Sequence, residues 1–428
     1  MPDQVVAPAI VDREEAERPG TDPSARNARV LVAFTAATNL TDGVTKVAMP
    51  LIASSLTKSP AMVSGVLSAM TLPWLLVALH VGVLVDRADR RRLLWLANVL
   101  RVLAVAAILV GVETDTLGLP LLYTGATVLG VAEVIALTSA TALVPTAIAP
   151  AGRERVNTLM TGVETVANEF VGPFVGGLLV AVGAGLALGV SAGGYVAATA
   201  LLPLLVGRFR IVRTADRPPV SVNRQIGDGV RFLWRHGLLR TLSLSTAVLA
   251  SCWAAWFALM PLVATRTWGL SPAGYGTLVG ALGVGGLTGT LIVGRVNRVL
   301  GRRPAMFANI FAAGSLVAVP AIAANVWACG AAAFVGGLGS TLWVVNSRTI
   351  GQALVPPDLM GRYSAASRFF SWGALPLGAA AAGALGQAVG YRYAFALFAA
   401  ATALVVVPFF RAFTPTALAE VETRLRAR

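Results

Sequence analysis

Charge is scarce in this sequence and unevenly placed. Only 13% of its 428 residues are charged, against 56% hydrophobic, where soluble domains carry about 25% charge. The apolar residues fall in long blocks, which excludes one large soluble core. Histidine and cysteine are scarcer still, with two of each. Cys252 and Cys329 lie in different apolar segments, so a disulfide scaffold is excluded by count and the redox compartment stays open. His80 and His236 have no cysteine, histidine or paired acid at ligand spacing. That gives no metal site and no nucleophile–base pair for an intramembrane enzyme. No GxxxxGK[ST] loop is present, so ATP coupling within this chain is not expected.

What is present is a series of apolar runs. Twelve membrane helices are predicted, at 30–56, 63–85, 93–112, 119–148, 157–182, 184–206, 238–268, 272–296, 304–324, 327–355, 362–389 and 391–410. At about 1.5 Å per residue, runs of roughly 20 residues cross a bilayer. The net charge of +14 would suggest nucleic acid if the arginines formed a face. They sit instead in short turns, with roughly 27 of the 34 basic residues on one side of the membrane and about 3 on the other. Topology accounts for the charge, and no nucleic-acid partner is expected. An even helix count puts both termini on one side, and the arginine bias makes that side cytoplasmic.

The fold class read from this pattern is an all-α polytopic membrane protein, with 12 transmembrane helices in two pseudo-symmetric six-helix bundles. Residues 1–28 read as a disordered cytoplasmic tail, 29–207 as the N-terminal bundle, 208–237 as a cytoplasmic linker, 238–411 as the C-terminal bundle and 412–428 as a cytoplasmic tail. The first apolar run follows about 29 polar residues and is too long for a cleavable signal. Within the linker, Ile226, Val230, Leu233 and Trp234 alternate with Arg224, Arg231 and Arg235. That spacing predicts an amphipathic helix on the inner leaflet, with a basic partner-binding helix as the alternative.

The turn after the second predicted helix reads GVLVDRADRRR, from Gly82 to Arg92. A decayed copy, GRVNRVLGRR, lies at Gly294–Arg303 with Asn297 in place of the aspartate. A charged turn repeated once per half points to a two-fold repeated transporter. With six plus six helices and a central basic loop, the chain resembles the major facilitator superfamily over about residues 30 to 410. The loop signature of that superfamily falls on Gly82, Leu84, Asp86, Arg87, Arg90 and Arg91. Gly172-Pro173-Phe174-Val175-Gly176-Gly177 resembles the fifth-helix signature of its exporters. LPWLLVALHVGVLVDRADRRRL, GVRFLWRHGLLRTL and QALVPPDLMGRYSA look like the branch of macrolide-efflux and enterobactin-exporter-like proteins.

The resemblance implies a secondary active exporter of a hydrophobic small molecule, a drug, antibiotic or siderophore-like compound, working by alternating access and proton antiport. It implies a proton gradient rather than a cofactor, a small-molecule substrate and the lipid bilayer as partners, and a monomer in the inner or plasma membrane. An importer, an uncoupled facilitator or a non-transporting sensor with this fold are the alternatives. The resemblance also implies a cytoplasmic gate, in which Asp86 and its arginines meet the start of the eleventh helix, around Asp358 to Arg362.

An ionisable group within a membrane helix costs at least a few kcal/mol. There are eight: Asp42, Lys46, Arg101, Glu133, Glu164, Glu169, Arg348 and Arg368. All four acids lie in the N-terminal half, which makes Asp42, Glu133, Glu164 and Glu169 the candidates for proton coupling. Lys46 follows Asp42 by four residues and could neutralise it locally; otherwise Asp42, beside Asn39, faces the cavity. Asn157, Thr161, Glu164 and Asn168 form one helical stripe. Glu169 shares a face with Gly172 and Gly176. Arg101 is expected to pair with Glu164 or Glu133. In the C-terminal half, Trp253, Trp256, Trp343, Asn346 and Arg348 are candidates for cavity and substrate contacts, since aromatic rings suit a large apolar ligand. Arg348 and Arg368 could instead cap cytoplasmic helix ends.

Overall fold

The computed structural model describes residues 23–426 apart from 86, 208, 210–221 and 357–358. Among the described residues the regular structure is helical. The elements are α1 (Pro23–Leu56), α2 (Pro60–Leu76), α3 (Ala78–Val85), α4 (Arg90–Glu113), α5 (Leu119–Ala147), α6 (Pro150–Glu164), α7 (Gly172–Val182) and α8 (Ala184–Leu201) in the first half. They continue as α9 (Val222–Arg235), α10 (Gly237–Leu262), α11 (Pro272–Val299), α12 (Arg302–Ile322), α13 (Val326–Leu354), α14 (Met360–Val389), α15 (Tyr391–Ala412) and α16 (Pro415–Arg426). Ten helical stretches are long and apolar enough to cross a membrane. With α1, which carries Asp42 and Lys46, and the α2–α3 pair, they make the twelve crossings of a multi-pass membrane protein.

The breaks within crossings have local causes. Pro73 lies just before the interruption at Val77, whose N–H bonds back to the Pro73 carbonyl at 2.8 Å. In the fifth crossing, α6 and α7 are joined by a π-helical segment, Thr165–Val171. Pro173 follows it. A proline inside a helix removes a donor and crowds the carbonyl one turn back, and a widened turn relieves both. A second π-helical turn, Val263–Thr267, follows Pro261 and carries Arg266.

One expectation about the ends is corrected. Residues 23–28, assigned from their polar composition to a disordered tail, begin α1. Asn27 is buried there, donating to the Ala147 and Val206 carbonyls at 3.2 and 2.9 Å. The segment after 412 forms α16, with Leu418 and Val421 buried in the core of the C-terminal half. Helix α9 forms in the linker as predicted, and it packs on α14. Leu233 is buried, and Trp234 stacks on Phe370 at 6.1 Å between ring centroids. The side chains of Arg224 and Ile226 fall outside the described residues.

The two halves meet tightly at the end away from the termini and linker, termed here the far end. Gly177 of α7 crosses Gly276 of α11 with no room for a Cβ between them. Ser59 and Gln387 are hydrogen-bonded at 2.8 Å. Arg266 donates to the Ser54 carbonyl from Nε and Nη2 at 3.2 and 3.0 Å, and to the Ser55 carbonyl at 3.3 Å. One apolar cluster spans the halves, joining Val47, Leu51, Leu67 and Phe170 to Trp256, Tyr275 and Phe395. Nearer the basic end, Trp74 of α2 and Trp372 of α14 meet at 4.2 Å. Beyond that contact Asn157, Arg348 and Arg368 are exposed. Arginines at that depth on membrane helices face water or protein rather than lipid. The helices are thus sealed together at the far end, while polar and charged side chains stay uncovered between the halves toward the basic end.

Candidate functional site

The N-terminal half brings six charged and polar helices' worth of chemistry into one cluster centred on α1. Asp42 accepts two hydrogen bonds, from Arg101 Nη2 of α4 at 2.6 Å and from the Tyr195 hydroxyl of α8 at 2.7 Å. Arg101 is 1% exposed. Its Nη1 reaches Asn98 at 3.1 Å, and its guanidinium lies 5.2 Å from the centre of the Tyr195 ring. The expectation that Arg101 pairs with Glu164 or Glu133 is corrected. Asn98 and Arg101 sit three residues apart on α4, which packs against α8, and Asp42 of α1 is the acid that Arg101 reaches.

Lys46 is not the local partner of Asp42 either. Its Nζ donates to Glu169 at 3.0 Å and to Asn168 Oδ1 at 3.1 Å. Asn168 in turn donates to Asn39 at 3.2 Å, and Asn39 to the Thr35 carbonyl at 2.9 Å. The π-helical turn aims both Asn168 and Glu169 at α1. Glu169 remains 34% exposed. A void of about 20 Å³, room for about one water, is lined by Asp42, Lys46, Thr71 and Glu133 among others. Three acids and two cations therefore share the middle of this half.

Glu164 is half-buried, with the charges of Arg368 and Arg348 in the other half acting on it as well as those of Glu169 and Lys46. Of its predicted stripe, Asn157 is exposed, Thr161 and Glu164 are half-buried and Asn168 is buried.

The glycine–proline motif is a packing device on two sides. Gly172 lies against Leu40 and Gly43 of α1, and Gly176 against Val44, at distances that leave no space for a Cβ. Gly177 makes the crossing with Gly276 in the other half. Pro173 is buried beside Gly43.

In the charged turn, Asp86 falls outside the described residues, as do residues 357–358 and the side chain of Arg362. The expected contact between them lies outside what is described. Arg87 is exposed. Arg90 is buried and donates to the Ala142 carbonyl at 2.6 Å; Arg91 reaches the Leu205 carbonyl at 3.5 Å. Both tie the turn to its own half. Gly82 has open space where a Cβ would stand. Asp89, which the sequence reading passed over, caps α4 by accepting from the Arg91 and Arg92 amides at 2.9 and 3.2 Å.

The C-terminal candidates divide. Trp253 is half-buried near Phe257, with ring centroids 5.8 Å apart. Trp256 is fully buried, stacked on Tyr275 at 6.3 Å within the cluster that joins the halves. Trp343 is buried and donates to Thr246 at 3.0 Å, packing α13 on α10. Asn346 is fully buried, accepting from Arg302 at 3.1 Å and donating to Asn297 at 3.0 Å. Trp256, Trp343 and Asn346 thus face packed protein rather than an open cavity, which corrects their assignment. Arg302 reaches α13 much as Arg90 reaches α5, so the decayed repeat keeps its anchor with an uncharged Asn297. Tyr195, Asn98, Arg266 and Gly276 were missed; only Asn98, three residues before Arg101, left a signal.

The comparisons with known proteins bear on this arrangement. Residues 24–426 match the model of a family described as transmembrane secretion effector. The chain belongs to this family, a branch of the major facilitator superfamily. The multidrug efflux pump Tap of Mycolicibacterium fortuitum is 28% identical over 383 residues, 86% of this chain and 92% of that protein. Tap of Mycobacterium tuberculosis strain H37Rv is 29% identical over 261 residues, 56% of this chain and 61% of that protein. Among solved structures, a bacterial homologue of the iron transporter ferroportin in an inward-facing state superposes with a TM-score of 0.69 at 17% identity. It covers 91% of this chain and 98% of its own. A bacterial homologue of the lysosomal transporter Spinster, inward-facing and unoccupied, gives 0.65 at 13% identity over 96% of this chain and 99% of its own. At these identities the structures speak to the fold alone.

Proposed function

We propose that this secretion-family transporter exports hydrophobic drug-like molecules from the cytoplasm by alternating access, in exchange for protons. Export is supported by the match to Tap, a multidrug efflux pump, along 86% of the chain. The protein sits in the inner or plasma membrane as a monomer with both termini cytoplasmic, so the basic end opens inward. That orientation follows the arginine bias. In this reading substrate enters a vestibule at the basic end past Glu164, Arg348 and Arg368, and Trp253, half-buried, offers it an aromatic face. No cofactor takes part.

Coupling rests on the cluster around Lys46. Asp42 is locked between Arg101 and Tyr195, so its role is to hold α1, α4 and α8 together. Glu169 is the coupling acid: it is paired with Lys46, a third exposed, and sits where the π-helical turn meets α1. A proton arriving on Glu169 releases Lys46, which can then turn toward Glu133 across the shared void. Releasing that contact loosens α1 from the fifth crossing, and with it the far-end seal made by Gly177. The charge turn from Gly82 to Arg91 biases the inward-closed state through contacts that exist in only one of the two states. Efflux of ethidium from a pump-deficient host, with and without a protonophore, tests the reading. Retention of dye by cells carrying the intact protein would reject it.

A further inference from the structure

We propose a second binding site, at the far end of the molecule, for an amphipathic anion: an apolar chain ending in a phosphate or carboxylate. A cleft of about 470 Å³ opens between the halves there, within the range of small-molecule sites, roughly 300–1,000 Å³. Lys58 and Pro60 line it from the N-terminal half, and Leu259, Leu262, Arg266 and Tyr391 from the C-terminal half. No aspartate or glutamate is among its lining residues.

Among the described residues, neither cation has a carboxylate partner. Arg266 spends its donors on the Ser54 and Ser55 carbonyls, which satisfies hydrogen bonds but does not neutralise the guanidinium. Lys58 is exposed on the turn between α1 and α2, and among the described residues it has no carboxylate partner. Apart from Thr267 and two glycines, the rest of the lining is apolar or aromatic: Pro60, Leu259, Leu262, Val263 and Tyr391. An anion with no tail would meet only exposed, screened charge. An apolar molecule with no head would leave both cations unanswered. A molecule with both fits, its tail burying area at about 25 cal/mol per Å². Its head can come from a membrane lipid or from a free amphiphile.

The cleft is assembled from both halves and by the same Arg266 that clamps the end of α1. It is complete only while the far end is closed, so its ligand holds the protein in this state. This follows whatever substrate the vestibule accepts.

Titration of dodecyl phosphate into the full chain in phosphatidylcholine nanodiscs tests the site, alongside Lys58→Gln and Lys58→Arg. Saturable binding is expected, weakened about threefold in Lys58→Gln, as for loss of one exposed charge pair, and kept in Lys58→Arg. Dodecanol and inorganic phosphate should each bind more weakly. If nanodiscs containing phosphatidylglycerol remove the Lys58-dependent part, a lipid headgroup is the occupant; if they leave it, a free amphiphile is. Equal binding by the intact protein and Lys58→Gln, or dodecanol binding as tightly as dodecyl phosphate, overturns the site. Lys58 is exposed and packs in no core, so Lys58→Gln is expected to fold.

Discussion

Arg101 holds Asp42 at 2.6 Å while itself only 1% exposed, and this pair ties three membrane helices together. Removing one partner of a buried pair leaves the other charge uncompensated, at a cost of about 3–5 kcal/mol. Asp42→Asn should therefore lower the thermal transition in detergent strongly, and more than Glu169→Gln does. The Lys46–Glu169 pair is partly exposed, where pairs contribute about 0–1 kcal/mol. Equal transitions for the two variants would mean that the Asp42 pair is not the structural one.

Gly177 and Gly276 cross where no Cβ fits. Gly177→Val should force α7 from α11 and open the far end. Cysteine placed at Ser59, next to Gln387 across the seam, reports this through an impermeant maleimide. Its labelling should be several-fold faster in the Gly177→Val background, and an unchanged rate would show that the crossing does not seal the protein.

Arg266 makes three hydrogen bonds to the end of α1. Charged hydrogen bonds contribute about 1.5–3 kcal/mol, less at an exposed position. Arg266→Gln should shift the same labelling in the same direction as Gly177→Val, by a smaller factor. Slower labelling would contradict the clamp.

Asn346 bridges Arg302 and Asn297 in a fully buried site. Asn346→Leu leaves those partners unsatisfied, at about 1–3 kcal/mol. It should reduce stability while leaving the relative efflux of different dyes unchanged in the folded fraction. A changed substrate profile at matched stability would return Asn346 to the cavity.

Much of the architecture could be read from the chain, because hydrocarbon leaves few choices. A run of about 20 apolar residues must satisfy its own backbone, so a helix follows. The arginine turns then mark one end of each crossing. Residues 23–28 were misread for the same reason in reverse: short and polar, they gain order only through contacts such as Asn27 with Val206. In the site, the identity of the charged residues was visible, and their pairing was not. Lys46 lies four residues from Asp42, but both look away, to Glu169 and Arg101 in other helices. Which helices adjoin is a tertiary fact with no local trace. Trp256 and Trp343 show the limit for aromatic rings, since burial inside a half and exposure to a cavity demand the same residue.

Reconstituted liposomes offer the most direct test of coupling through Glu169. With an imposed pH gradient, the intact protein should accumulate ethidium against its own gradient. Glu169→Gln should lose that accumulation yet retain exchange of dye across the membrane without a pH gradient. Gradient-driven accumulation that persists in Glu169→Gln would contradict coupling at this residue.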